Sequence, residues 1–222
     1  MRLLAVGDSF TYGAELSGTL LGKIEPHDKA WPNLLAEKLG YTFTNLARPG
    51  SGNTRMIRHA ISEVDNYDMI VIGWSHFARI EVADENGFYD LWPGCDGTLH
   101  NHHAPWRVHL TNYITEHYND DYLYRQYLLN IILIQNFLKA NNKRYLMLDA
   151  FGNHQANQRS ITSNQTLLQQ IDATYYVGWP DESMMEWTYG TSQGPNNHFL
   201  EQGHIQVADI VFNHMKELGW VN

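Results

Sequence analysis

Apolar residues along the chain fall into two patterns, short unbroken runs and stretches that recur every three or four residues. The runs LLAVG at 3–7, MIVIGW at 69–74 and YLMLDA at 145–150 are bounded by turn residues and predict buried strands. YTFTNLA at 41–47, richer in Thr and aromatic residues, predicts a fourth. Between them, Trp31, Leu34, Leu35 and Leu39 recur at helical spacing, as do Met56, Ile57, Ala60, Ile61 and Val64. Residues 121–142 predict a long helix whose NIILIQNFL centre is apolar on most sides, which places it beneath another layer. A last helix is expected from about Leu200 through Leu218, with Gly219 where a C-terminal cap belongs.

Strands alternating with helices predict an α/β fold, a three-layer α/β/α sandwich with a mostly parallel, flavodoxin-like sheet. Two stretches break the alternation: residues 76–120, rich in His, Asp, Gly and Trp, and residues 151–199, rich in Asn, Gln and Ser. Long connections that follow strands of such a sheet emerge at its carboxyl edge, where ligands bind. With 222 residues and 43% hydrophobic side chains, one domain spanning residues 1–222 with these two insertions is expected.

Charge narrows the range of partners. A formal net charge of -9 repels phosphate backbones, so no nucleic-acid partner is expected. No stretch is apolar for long enough to span a bilayer and no secretory leader is apparent, so the expectation is a cytoplasmic protein without a membrane partner. The single cysteine, Cys95, cannot form an internal disulfide and lies in the polar stretch GCDG, where a bystander thiol is expected.

Asp8 and Ser9 stand at the end of the first strand, on the edge where such sheets build sites. Taken alone, the pair reads most simply as a helix cap. A hydroxyl nucleophile needs in addition a base and a pocket that stabilises charge.

The stretch GDSFTYG, residues 7–13, resembles the first signature block of the SGNH, or GDSL, hydrolases. That resemblance implies an esterase with Ser9 as nucleophile and its amide as one oxyanion donor. NLARPGSGNT, residues 45–54, is similar to the second block, which makes Gly52 the next donor, with Gly50 as the fallback. The third block of the family reads Gly-x-Asn-Asp, whereas this chain has GWSH at 73–76, so Ser75 stands in for the asparagine and His76 for the aspartate. A serine hydroxyl donates a single hydrogen bond, and loss of one oxyanion donor costs about 10²- to 10³-fold in rate. The run WSHFARIE, with Trp74, Arg79 and Glu81, is similar to phage-encoded relatives, for which a virion location is the counterpart expectation.

The last block appears as GPNNHFLEQGHIQVADI. It implies His198 as base, with Gly203 and His204 at the family's distance, but Pro195 occupies the position of the acid and no carboxylate lies between Glu186 and His198. A second register would pair Glu201 with His204. With the acid absent, a backbone carbonyl or the side-chain oxygen of Asn196 is expected to orient His198, and Asp8 to brace the turn after the first strand. Replacing the acid of a Ser-His-Asp triad can lower the rate about 10⁴-fold.

The expected reaction is double displacement on a small or carbohydrate-linked ester without a cofactor, fading below the ordinary histidine pKa of about 6.5. Aromatic residues of the insertions, among them Phe88, Tyr89, Trp92, Trp106, Trp179, Trp187 and Tyr189, suit stacking on sugar faces. The rival expectation is a catalytically weak or inactive protein that keeps the fold for binding or for a virion. A metal site built on His100, His102 and His103 with Asp90 and Asp96 lacks the helical spacing of zinc protease motifs, so a polar loop is expected there and no metal.

Overall fold

The computed structural model describes residues 1–16, 26–85, 87–95, 105–154 and 162–221. Its strands are β1 (Arg2–Gly7), β2 (Thr42–Asn45), β3 (Met69–Trp74), β4 (Ile80–Asp84), β5 (Gly87–Leu91), β6 (Arg144–Asp149) and β7 (Tyr176–Val177). The helices are α1 (Ser9–Tyr12), α2 (Trp31–Leu39), α3 (Asn53–Ser62), α4 (Pro105–Glu116), α5 (Asp120–Ala140), α6 (Gln165–Leu168), α7 (Met184–Trp187) and α8 (Glu201–Glu217).

Five strands form one sheet in the order β2-β1-β3-β6-β7, and every pairing within it is parallel. Numbered within the sheet alone, this is the flavodoxin-like order. Successive residues of a strand face opposite sides, and both sides are covered. Leu4, Val6, Ile70, Ile72 and Met147 pack with Met56 and Ala60 of α3 and with Leu128, Ile131 and Ile134 of α5. Leu3, Ala5, Val71, Leu146 and Leu148 pack with Trp31 and Leu35 of α2 and with Val207, Val211 and Met215 of α8. The unbroken apolar runs that predicted the strands therefore report burial on both faces.

The structure departs from the sequence patterns in three places. The first insertion contains the antiparallel hairpin β4–β5, separate from the main sheet, and the helix α4. The second contributes a fifth strand, β7, whose two residues are too few to carry a periodic signal. Helix α5 is covered on one side only: Leu129 and Leu133 are 39% and 52% exposed, because the residues that meet the sheet already fill one stripe at three- and four-residue spacing. No helix among the described residues is long and apolar enough to cross a membrane.

The ends of β1 and β3 are shaped to receive the turn that follows β1. Gly7 and Gly73 are register partners, and a Cβ at either would come within 2.2 or 2.3 Å of Thr11 Oγ1. With hydrogens there instead, α1 settles directly on the strand ends and brings Ser9 to the carboxyl edge.

Truncating the covered stripe of α5 should cost far more than truncating its open side. Ile131→Ala is expected to lower stability by about 2–5 kcal/mol, and Leu133→Ala by about 0.5 kcal/mol or less; urea unfolding of the two variants checks the contrast.

Candidate active site

Asp8 caps α1 by accepting the Phe10 N–H on Oδ1 at 3.0 Å. Its other oxygen, Oδ2, accepts the Ser75 hydroxyl at 2.8 Å and Arg79 Nη1 at 3.3 Å. The carboxylate is fully buried; burial pushes its pKa up, and Arg79, Ser75 and the Phe10 amide pull it back only in part. Ser9 follows, 5% exposed, and its hydroxyl has no hydrogen-bond partner among the described residues.

His198 lies at the other end of the chain and is brought beside this turn. Its ring centroid stands 5.0 Å from that of Phe10, and Phe10 stands 5.2 Å from Phe199. No hydrogen bond joins Ser9 to His198; such bonds are often long in unliganded enzymes and tighten when substrate binds.

The partner of His198 is Glu15. Its Oε2 lies 2.8 Å from His198 Nδ1, and both side chains are largely buried, His198 at 13% and Glu15 at 8% exposure. An ionised carboxylate only accepts, so Nδ1 carries the proton of a neutral ring and Nε2 is left with its lone pair. Asn196 does not orient the ring with its side-chain oxygen: its backbone N–H and its Nδ2 donate to Glu15 Oε1, at 3.0 and 2.7 Å. Burial raises the Glu15 pKa, but the bonds from His198 and Asn196 outweigh it, and the net shift is below the ordinary glutamate value. Glu15 and Asn197 both adopt left-handed backbone, with φ of 67° and 63°, at a cost of about 1–2 kcal/mol per residue that marks a constrained contact.

The second register finds no support in these positions. Glu201 pairs with Lys29 Nζ at 2.6 Å on the surface, while buried His204 accepts the Trp31 N–H on Nδ1 at 3.1 Å. Burial lowers the His204 pKa to about 3, so the ring is a neutral acceptor for the start of α2.

The two oxyanion groups expected beyond Ser9 are both engaged. The Gly52 N–H donates to Asp90 Oδ1 at 2.7 Å, from the hairpin strand β5 that crosses above it. A Cβ on Gly52 would come within 2.7 Å of the Ile80 carbonyl carbon, so glycine is what lets the hairpin lie this close. Glu81 fastens the hairpin to α3 through Arg58 Nη2 and Nε, at 2.6 and 3.0 Å. The Ser75 hydroxyl donates to Asp8 and in turn accepts from Arg79 Nη1 at 2.8 Å.

The loop after β3 is held by two asparagines, neither expected in this role. Asn53 Oδ1 accepts the Ser75 N–H, and Asn153 Oδ1 accepts the Phe77 N–H while its Nδ2 donates to the Ser75 carbonyl. Glu15 was missed for a plain reason: its contact with His198 spans 183 positions and belongs to no local spacing. Of the proposed metal cluster, His100, His102, His103 and Asp96 lie outside the described residues, and Asp90 is bonded to Gly52; no group able to hold a metal occurs among the described residues. Cys95 is buried, its Sγ 3.6 Å from Thr111 Oγ1.

A family model described as a family of unknown function, DUF6071, matches residues 24–222. The chain belongs to this family. No curated protein matches the sequence. Among solved structures, this DUF6071 chain is similar to TesA, at 15% identity and a TM-score of 0.56, with 98% of this chain and 99% of that one covered. It is also similar to the psychrotrophic esterase EstA from Pseudoalteromonas sp., at 12% identity and a TM-score of 0.53, covering 98% and 97%. A third is a family two carbohydrate esterase from Clostridium thermocellum in complex with cellohexaose, at 14% identity and 0.56, covering 99% of this chain and 65% of that one. These likenesses show the fold, which this DUF6071 chain shares with esterases.

Beneath the site, Asp149 at the end of β6 is a second buried carboxylate. Its Oδ1 accepts Tyr127 and Tyr176 hydroxyls at 2.5 and 3.0 Å and Asn153 Nδ2 at 2.9 Å, so it supports the loop that carries Ser75. Burial outweighs these bonds and raises its pKa from 3.8 to about 7. Between those values the unfolded chain has released the proton that the folded chain retains, so this group makes stability fall as pH rises from about 4 to about 7. Asp149→Asn should remove that contribution. The stability of the variant relative to wild type, measured by urea unfolding, is expected to climb across this window and level off above it.

Proposed function

We propose that this DUF6071 protein is a serine ester hydrolase of the SGNH type, with Ser9 as nucleophile, His198 as base and Glu15 as the acid that orients it. The observation that carries the proposal is the 2.8 Å contact between Glu15 and His198 Nδ1 beside the turn that bears Ser9. The unpartnered hydroxyl of Ser9 and the likeness in fold to esterases support it.

In this mechanism His198 Nε2 takes the proton of Ser9 as Oγ bonds to the ester carbonyl carbon, and the carbonyl electron pair moves onto oxygen. The intermediate collapses with cleavage of the bond to the alcohol, which leaves with the proton from His198. Water, deprotonated by the same nitrogen, then releases the acid and regenerates Ser9. Glu15 remains ionised, holding the tautomer and balancing the imidazolium charge. The proposed substrate is a small or carbohydrate-linked ester; the rings of Phe151 and Trp92 beside Arg79, and the carbohydrate esterases of like fold, support this class.

One observation favours a second reading. Because Asp90 already occupies the Gly52 amide, the fold would serve binding alone if that contact never opened.

A phosphonofluoridate separates the two. The hydrolase reading expects a mass increase of one phosphonyl group on Ser9, abolished in Ser9→Ala, together with turnover of an aryl acetate; a binding protein would show neither. Glu15→Gln replaces an acceptor by an amide that can donate to Nδ1 and favours the wrong tautomer. It is expected to lower kcat by about 10²- to 10⁴-fold, with Glu15→Asp retaining more activity, as measured on the same ester.

A further inference from the structure

Two of the three groups expected to stabilise the oxyanion already donate elsewhere, Gly52 to Asp90 and Ser75 to Asp8. A site that develops negative charge on a carbonyl oxygen needs preorganised donors at that place. A cationic group, Arg79, is bonded to one of those two engaged groups, Ser75. Arg79 Nη1 reaches both Ser75 Oγ, at 2.8 Å, and Asp8 Oδ2, at 3.3 Å, so the guanidinium lies against the residue before the nucleophile and against the serine that replaces the family's asparagine.

Two aromatic rings pack near this guanidinium. The guanidinium carbon lies 5.3 Å from the centre of the Trp92 ring and 5.2 Å from that of Phe151. Phe151 meets Phe10 edge-on at 5.3 Å, and Phe10 touches His198, so a continuous shell of rings runs from Arg79 to the base. One edge of the fork is therefore structural. The other is open: Arg79 Nε and Nη2 have no hydrogen-bond partner among the described residues, and neither is sealed from solvent.

We propose that Arg79 is a catalytic residue, its free guanidinium edge donating to the ester oxyanion in place of the missing asparagine. This rests on the hydrolase reading above. Arginine suits the task because its charge persists at every working pH and its N–H groups form a planar fork. Charge-assisted donation to an oxyanion is roughly twice as strong as a bond to a neutral carbonyl, so the interaction grows as the reaction proceeds and acts on kcat.

The test uses Arg79→Ala and Arg79→Lys on two aryl esters, a neutral acetate and an anionic hemisuccinate, with ethylguanidinium added to the alanine variant. For Arg79→Ala, kcat is expected to fall about 10²- to 10³-fold with KM little changed, equally on both esters. Phosphonylation of Ser9 should slow by a similar factor, and ethylguanidinium should restore part of the rate. Arg79→Lys keeps the pairing with Asp8 but loses the fork, and should fall at least about tenfold; it decides the matter where the alanine variant does not fold.

Wild-type kcat in the lysine or alanine variant, with Ser9→Ala inactive, would overturn the role of Arg79 and leave the hydrolase reading intact. A loss confined to KM for the hemisuccinate would reassign Arg79 to binding a substrate anion. A loss that ethylguanidinium leaves unchanged would reduce it to scaffolding. If the wild type neither turns over ester nor takes the phosphonyl group, both proposals fall together.

Discussion

A carboxylate buried without donors is among the most expensive things a fold can contain, and the carboxyl edge of this protein is organised around one. Asp8 is fully buried at the exit of the first strand and is satisfied by three groups from different parts of the chain: the Phe10 amide, the Ser75 hydroxyl and the Arg79 guanidinium. Those bonds fix the turn that carries Ser9, the end of β3 and the start of the segment that leads into the hairpin. The hairpin in turn is fastened to α3 by the Glu81–Arg58 pair and reaches the Gly52 amide through Asp90. One desolvated charge thus ties the turn that carries Ser9 to the end of β3 and to Arg79.

The architecture was legible because it is written in local patterns. Four of the five sheet strands and the helices α2, α3, α5 and α8 lie where apolar runs and helical spacing place them, since burial on both faces leaves unbroken runs and burial on one leaves a stripe. Asp8 and Ser9 were legible for the same reason, as a cap and its neighbour at a strand end. What escaped was set by contacts distant in sequence. Glu15 stands in an unremarkable stretch, GAEL, and nothing near it signals a partner at position 198. The hairpin β4–β5 adds no strand to the main sheet and is held by charges and a glycine contact, which leave little periodicity to read.

In the proposed site the carboxylate comes from the segment after Ser9 rather than from the last block, which changes what the two ends of that site must do. In the expected arrangement, acid and base share one loop, so the backbone between them has to present both side chains at once. Here Glu15 follows Ser9 by six positions and the distant loop has to present only a ring. The same carboxylate that meets His198 Nδ1 also accepts the backbone N–H groups of Asn196 and His198, so it shapes the loop as well as holding the ring. Pro195 lacks an N–H and cannot join those bonds, but its restricted φ limits the freedom of the turn leading into them. Its presence where the SGNH hydrolases have an acid is then no defect of the proposed site. It is compatible with the carboxylate of the proposed site coming from the other side of the ring, and it leaves the oxyanion groups as that site's remaining difference from the SGNH pattern.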